Sequence, residues 1–221
     1  MNPEQLIIQF AQTTTYAQDQ FLPADCNRRA LARILDTSGW TDHALIIHGP
    51  PRCGKTHLSH IWAALNDGHL INGVDLTFDA VPGLSGRSIV VENAENAEDP
   101  RVLFHLYNLQ REDRGRLLMV SRRPPAGWGY DLPDLTSRIA ATPTEEIIQP
   151  GEDLLGPLLV KLAADRQMVL PPDVVQYMLK RLERSFAAAE RIVKALDDAA
   201  LKTQQRISLP LARKIMDGTD V

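Results

Sequence analysis

Aromatic residues make up only 5% of the 221 residues, and cysteine occurs twice, as Cys26 and Cys53. Two cysteines cannot build a disulfide framework, which points to a reduced, cytoplasmic protein. A basic excess is also missing: 24 Lys and Arg stand against 28 Asp and Glu, a formal net charge of −4. That balance disfavours a protein that holds duplex DNA mainly by its phosphates, which requires clustered cations. No apolar run approaches the roughly 20 residues of a membrane-spanning helix, and no basic start leads into a signal-peptide core, so no membrane partner is expected. Fixed-period repeats are absent, as is low complexity beyond a Gln/Thr-rich stretch near the start. What is present is ordinary for a globular chain: 44% hydrophobic and 24% charged residues, with length enough for one or two domains and a sizeable core.

The pattern divides the chain in three. Residues 1–20 hold one short apolar patch and a polar stretch, and read as a flexible tail. Residues 21–149 alternate strand and helix signals. Asn27 stands where it would cap a helix carrying Ala30, Leu31, Ile34 and Leu35 at helical spacing. The short apolar runs 44–47, 89–91 and 117–120 read as buried strands, with a last strand at Ile147 and Ile148. Helices are expected over 55–65 and after Pro100, where Val102, Leu103, Leu106 and Leu109 recur; the interval 73–87 is punctuated by Gly and Pro. Such alternation predicts an α/β fold with a mainly parallel sheet. Residues 150–221 carry helical patterns only, over 154–166, 173–182, 185–201 and 209–216, and predict a small all-α domain.

The chemistry concentrates in Gly49, Pro50, Pro51, Arg52, Cys53, Gly54, Lys55 and Thr56. They match G-x-x-x-x-G-K-[ST] and fall between a predicted strand and a predicted helix, the context this phosphate loop requires. Backbone N–H groups of such a loop converge on a phosphate at a helix N-terminus, Lys55 adds a point charge, and the Thr56 hydroxyl is placed for magnesium. ADP or ATP with Mg2+ is the expected ligand. Turnover also needs a carboxylate on a neighbouring strand and a group that orients water. The strand end at Glu92 and Asn93 offers the first, one methylene longer than the usual aspartate, but Asn93 is an amide and cannot accept a proton. Intrinsic hydrolysis is therefore expected to be weak or absent. Cys53 reads as a small filler of the loop, and His57 and His60 lack the partners of a metal site.

Further segments extend the phosphate loop and Glu92-Asn93 into a recognisable order: Leu103-Phe104-His105-Leu106-Tyr107-Asn108, Ser121-Arg122-Arg123-Pro124-Pro125, Leu132-Pro133-Asp134-Leu135-Thr136-Ser137-Arg138, Lys180-Arg181-Leu182 and Ile207-Ser208-Leu209-Pro210. In that order the chain resembles the Hda-type proteins of the DnaA branch of the AAA+ family over nearly its whole length. The resemblance implies a AAA+ nucleotide-binding core at 21–149, a helical lid at 150–221, and a regulator that, bound to ADP, docks on the DNA polymerase sliding clamp and stimulates ATP hydrolysis by the replication initiator DnaA. DNA would be contacted mainly indirectly, and a homodimer is possible in such a family. Gln5, Leu6, Ile8 and Phe10 resemble a clamp-binding peptide, although the same segment would also suit packing on its own core. Arg138 matches the family's arginine finger; pairing with Asp134, four residues earlier on a helix, is the local alternative. The lid arginine of the family aligns with Ala187, which leaves Arg184 and Arg191, on the same helix face, as substitutes or as solvent-facing side chains. An autonomous ATPase of the helicase-loader kind, and an adaptor that only sequesters DnaA, are the competing functions.

Overall fold

The computed structural model describes residues 16–40 and 42–218. The tail residues Gln5, Leu6, Ile8 and Phe10 lie outside the described residues; of the rest of that segment Tyr16 is half-buried and residues 17–20 are exposed, with a short 3-10 turn over Gln18–Gln20. Helix α1 (Arg28–Leu35) leads to β1 (Ala44–His48), α2 (Lys55–Asn66), β2 (His69–Asn72), β3 (Ser88–Glu92), α3 (Pro100–Glu112), β4 (Arg116–Ser121), α4 (Pro133–Ala141) and β5 (Thr144–Glu146). Helices α5 (Glu152–Ala164), α6 (Pro172–Leu179), α7 (Phe186–Thr203) and α8 (Leu209–Asp217) follow without a strand between them.

The sheet order is β2-β3-β4-β1-β5, every pairing parallel. Parallel strands need helical crossovers, and these cover both faces, which is why β1 is buried at all five positions. Alternation along β1 sends Leu45 and Ile47 to a core with Ile34, Leu58, Ile61 and Trp62. Ala44 and Ile46 face the opposite core, with Val102, Leu103, Leu106, Leu135 and Ile139 of α3 and α4. The four C-terminal helices enclose a third core around Leu155, Leu159, Val174, Met178, Ile192 and Leu196. Leu154 and Phe186 depart from it and join the core beneath α2, tying the helical unit to the sheet.

Three expectations need correction. The strand β2 at His69–Asn72 went unread because it is the sheet edge, exposed or half-buried at every position, so no apolar run marks it. The final strand runs over Thr144–Glu146, ahead of Ile147 and Ile148. Its middle residue, Glu145, is only 7% exposed yet is bridged by Arg29 and Arg33 from α1 at 3.2 and 3.3 Å. A buried carboxylate held by two guanidiniums breaks the hydrophobic pattern that reveals a strand. Ile147 follows the strand into the core and still donates its N–H to His48 O at 2.8 Å. Asn27 precedes α1 as expected but does not cap it: its Oδ1 accepts from Ala24 N at 2.8 Å and its Nδ2 donates to Leu22 O at 3.0 Å, bracing the preceding loop.

Candidate functional site

The phosphate loop leaves β1, an interior strand between β4 and β5, at His48 and returns as α2 at Lys55. Two glycines decide its path. A Cβ on Gly49 would stand 2.4 Å from Ile147 O, and Gly54 has φ +92°, a conformation that favours glycine. No side chain caps α2, so its first N–H groups stay open at the loop, the arrangement that attracts an anion. Lys55, 9% exposed, donates from Nζ to Gly49 O at 2.8 Å and Pro50 O at 2.7 Å. The ammonium is thereby held inside the loop by its carbonyls.

Thr56 Oγ1 donates to Glu92 Oε2 at 3.0 Å, and Ser59 Oγ donates to Glu92 Oε1. A hydroxyl and a carboxylate in contact at the helix start are oxygen donors of the kind that would suit a magnesium ion held together with phosphate and water. Among the described residues no three His, Cys, Asp or Glu side chains cluster as a metal centre. Asn93, at φ +51°, turns the chain out of β3 into the cleft. The cleft is open, about 640 Å³, and brings together Lys55, Thr56, Glu92 and Asn93 with Ser121 and Arg122 from the end of β4. Glu95, buried after β3, accepts from Arg122 N at 2.8 Å and so pins this corner of β4 to the strand that carries Glu92.

A smaller apolar recess of about 120 Å³ adjoins the loop and is lined by Phe21, Leu22, Leu154, Leu158, Leu162 and Phe186. Its position between the loop, residues 20–22 and the helical unit suits a flat, weakly polar group beside the phosphate cleft. Tyr16 lines the main cleft and stacks on His60, with ring centroids 4.1 Å apart and planes 2° apart; His57 Nε2 lies 2.9 Å from Ala17 O. The two histidines thus fasten the incoming segment to α2. Burial pushes the Cys53 thiol up, against the smaller opposing effect of the Lys55 ammonium, so it stays neutral at physiological pH.

His48, at the strand end below the loop, is 8% exposed. Burial holds its pKa below the ordinary value of 6.5, with Glu146 opposing and Lys55 reinforcing. A depressed imidazole pKa means that the folded chain binds fewer protons than the unfolded chain, so the contribution is full above about pH 6.5 and is lost as pH falls. The expected result is a denaturation midpoint that drops between pH 7.5 and 5.5, and a His48→Gln variant whose midpoint drops less; equal slopes would contradict this.

The helical unit carries the match to a known family. Residues 156–216 match the family model described as "Hda, lid domain". Domain III of the replication initiation protein DnaA from Thermotoga maritima superposes with a TM-score of 0.79 at 16% identity, over 92% of this chain and 96% of that one. The chain is thus similar to Hda in its lid segment and shares the fold of DnaA. AMPPCP-bound DnaA from Aquifex aeolicus shares the fold (TM-score 0.68, 16% identity, 85% of this chain and 66% of that chain). So does the Thermotoga maritima RuvB Holliday junction branch migration motor (TM-score 0.67, 18% identity, 92% and 72%). The β-sheet unit thus has the fold of the cores of these proteins, and α5–α8 contain the segment that matches the lid model.

Arg184 pairs with Glu152, and Arg191 lies 3.9 Å from Glu183; neither lines the cleft. The lid residue that does line it is Glu190, paired with Arg52 of the loop. No local sequence signal marks Glu190, because its place in the cleft depends on how α7 packs beside the loop. Arg138 stands on α4, half-buried and away from the chain's own cleft. Its guanidinium carbon lies 5.7 Å from the Phe104 ring centre and 5.8 Å from that of Tyr107, and among the described residues no ion pair joins it to Asp134. Tyr107 OH bonds to Asp42 Oδ2 at 3.2 Å and Thr142 Oγ1 at 3.3 Å, while Thr142 Oγ1 donates to Arg138 O at 2.8 Å. Hydroxyls therefore fix the aromatic surface beneath the arginine. Among the described residues no helix is long and apolar enough to cross a membrane.

Proposed function

We propose that this chain is an Hda-like, nucleotide-dependent regulator of the replication initiator DnaA. In this reading ADP or ATP with Mg2+ occupies the cleft, the ADP-bound form docks on the DNA sliding clamp, and Arg138 stimulates ATP hydrolysis in DnaA. Nucleotide binding is supported by the loop, the open α2 N-terminus and the Thr56–Glu92 contact, and by the AMPPCP carried by the similar DnaA of Aquifex aeolicus. The nucleotide supplies phosphate charge that the loop N–H groups and Lys55 neutralise, while Thr56 and Glu92 would hold magnesium.

The observation that carries the regulatory reading is Arg138. It is held by rings rather than by a carboxylate, outside its own cleft, while that cleft has the amide of Asn93 where a hydrolase needs a proton acceptor. A guanidinium so held is available to a phosphate on another subunit, where charge develops during transfer. The test is DnaA-bound ATP turnover with wild-type or Arg138→Ala protein on clamp-loaded DNA. Turnover by the isolated chain alone, at a rate comparable with that of stimulated DnaA, would favour an autonomous ATPase instead.

The clamp is proposed as partner on the resemblance of Gln5, Leu6, Ile8 and Phe10 to a clamp-binding peptide, a binding mode in which apolar anchors enter a groove. Removal of residues 1–10 is expected to abolish clamp binding in a pull-down or surface-binding assay while leaving nucleotide affinity within about twofold. Clamp binding that survives the deletion would exclude the tail. Cytoplasmic localisation, a possible homodimer and mainly indirect contact with DNA belong to the same reading.

A further inference from the structure

The phosphate cleft contains two carboxylates of different kinds. Glu92 is bonded to the Thr56 and Ser59 hydroxyls and forms part of a magnesium corner. Glu190 comes from the lid helix α7, lines the same cleft, and is ion-paired with the Arg52 guanidinium. Arg52 belongs to the phosphate loop itself and sits at φ +65°, with more than half of its side chain exposed toward the opening. The pair thus joins the lid to the loop across the space where phosphates would bind. It also occupies the cation, other than Lys55, that the loop offers.

We propose that Glu190 sets the choice between nucleoside diphosphate and triphosphate at this site. This rests on the cleft's being a nucleotide site. A triphosphate brings about one more negative charge than a diphosphate, and repulsion from a fixed carboxylate in a partly desolvated cleft rises with that charge. Glu190 also engages the guanidinium that would otherwise neutralise the additional phosphate. Both effects weigh against the more highly charged ligand. The identity of the lid residue, rather than the loop, then decides which nucleotide the protein holds.

The experiment titrates wild-type, Glu190→Gln and Arg52→Gln proteins with ADP and with a non-hydrolysable ATP analogue, both with magnesium, by calorimetry. Thermal melts serve as the fold control. Glu190→Gln is expected to improve affinity for the triphosphate over the diphosphate by about tenfold relative to wild type. The gain should shrink as salt is raised, as a charge effect must. Arg52→Gln leaves Glu190 uncompensated and is expected to shift the ratio the other way, toward the diphosphate. A Glu190→Gln protein whose two affinities change by the same factor, or not at all, overturns the selector role and leaves Arg52–Glu190 as a latch between lid and loop. Failure of the wild-type protein to bind either nucleotide removes the nucleotide reading itself, and this one with it.

Discussion

Arg138→Ala protein is expected to bind its partners yet leave DnaA hydrolysing ATP at its unstimulated rate. A guanidinium supplied in trans to a transferring phosphoryl group is worth about 10³–10⁵ in rate, so the loss should be nearly complete rather than graded. The fold has little to lose at this position. Leu135 and Ile139, 0% and 3% exposed, carry the packing of α4, whereas Arg138 contributes its contact with the Phe104 and Tyr107 rings, worth about 0.5–1 kcal/mol at a partly exposed site. Lysine should not substitute, because a single ammonium lacks the planar fork that grips two phosphate oxygens. The measurement is release of phosphate from ATP-bound DnaA, with assembly followed separately by co-sedimentation. Stimulation retained by Arg138→Ala would refute the arginine-finger role, whereas wild-type protein that binds DnaA without stimulating it would make the chain a sequestering adaptor.

The other large effect belongs to Lys55. Its alanine variant is expected to lose about 100-fold in affinity for ADP, equivalent to about 2.7 kcal/mol, because the site then lacks its innermost cation. In the folded protein Nζ already rests on Gly49 O and Pro50 O, so the charge is positioned before a ligand arrives and little ordering cost is left for the binding step. Arginine is expected to fail as a replacement. Its fork is too broad for a pocket closed by Gly49, Pro50 and the Cys53 sulfur 3.6 Å away. Calorimetric titration decides the point, with the melting temperature confirming that the variant is folded. Affinity within threefold of wild type would show that the loop amides hold the phosphates alone.

Sequence patterning revealed those parts of the fold in which burial and residue type agree. Strands β1, β3 and β4 are central and apolar, and their runs are unmistakable. Strand β2 hides because an edge strand with His69 and Asn72 at its ends has no apolar face to display. Strand β5 hides because Glu145 is buried through arginines more than 100 positions away, a compensation that no local window contains. The site divides the same way. Its loop is a contiguous motif whose spacing is dictated by phosphate geometry, so Gly49 through Thr56 were readable, as was the approach of Glu92. Glu190 was not, because its place depends on how the lid closes over the loop. Likewise, only the folded chain shows that Arg184 is engaged by Glu152 and that Arg138 lies on aromatic rings.

The position of β1 has a further consequence. It is the strand with a parallel neighbour on both sides, β4 and β5, that also carries the phosphate loop, and its backbone is protected over its whole length. Partial opening of a protein starts where contacts are few, at edges and ends, and reaches a doubly flanked central strand only with global unfolding. Fraying of β2 or loosening of the lid therefore leaves the loop's anchor intact. A nucleotide that left the loop would return to a seat still intact.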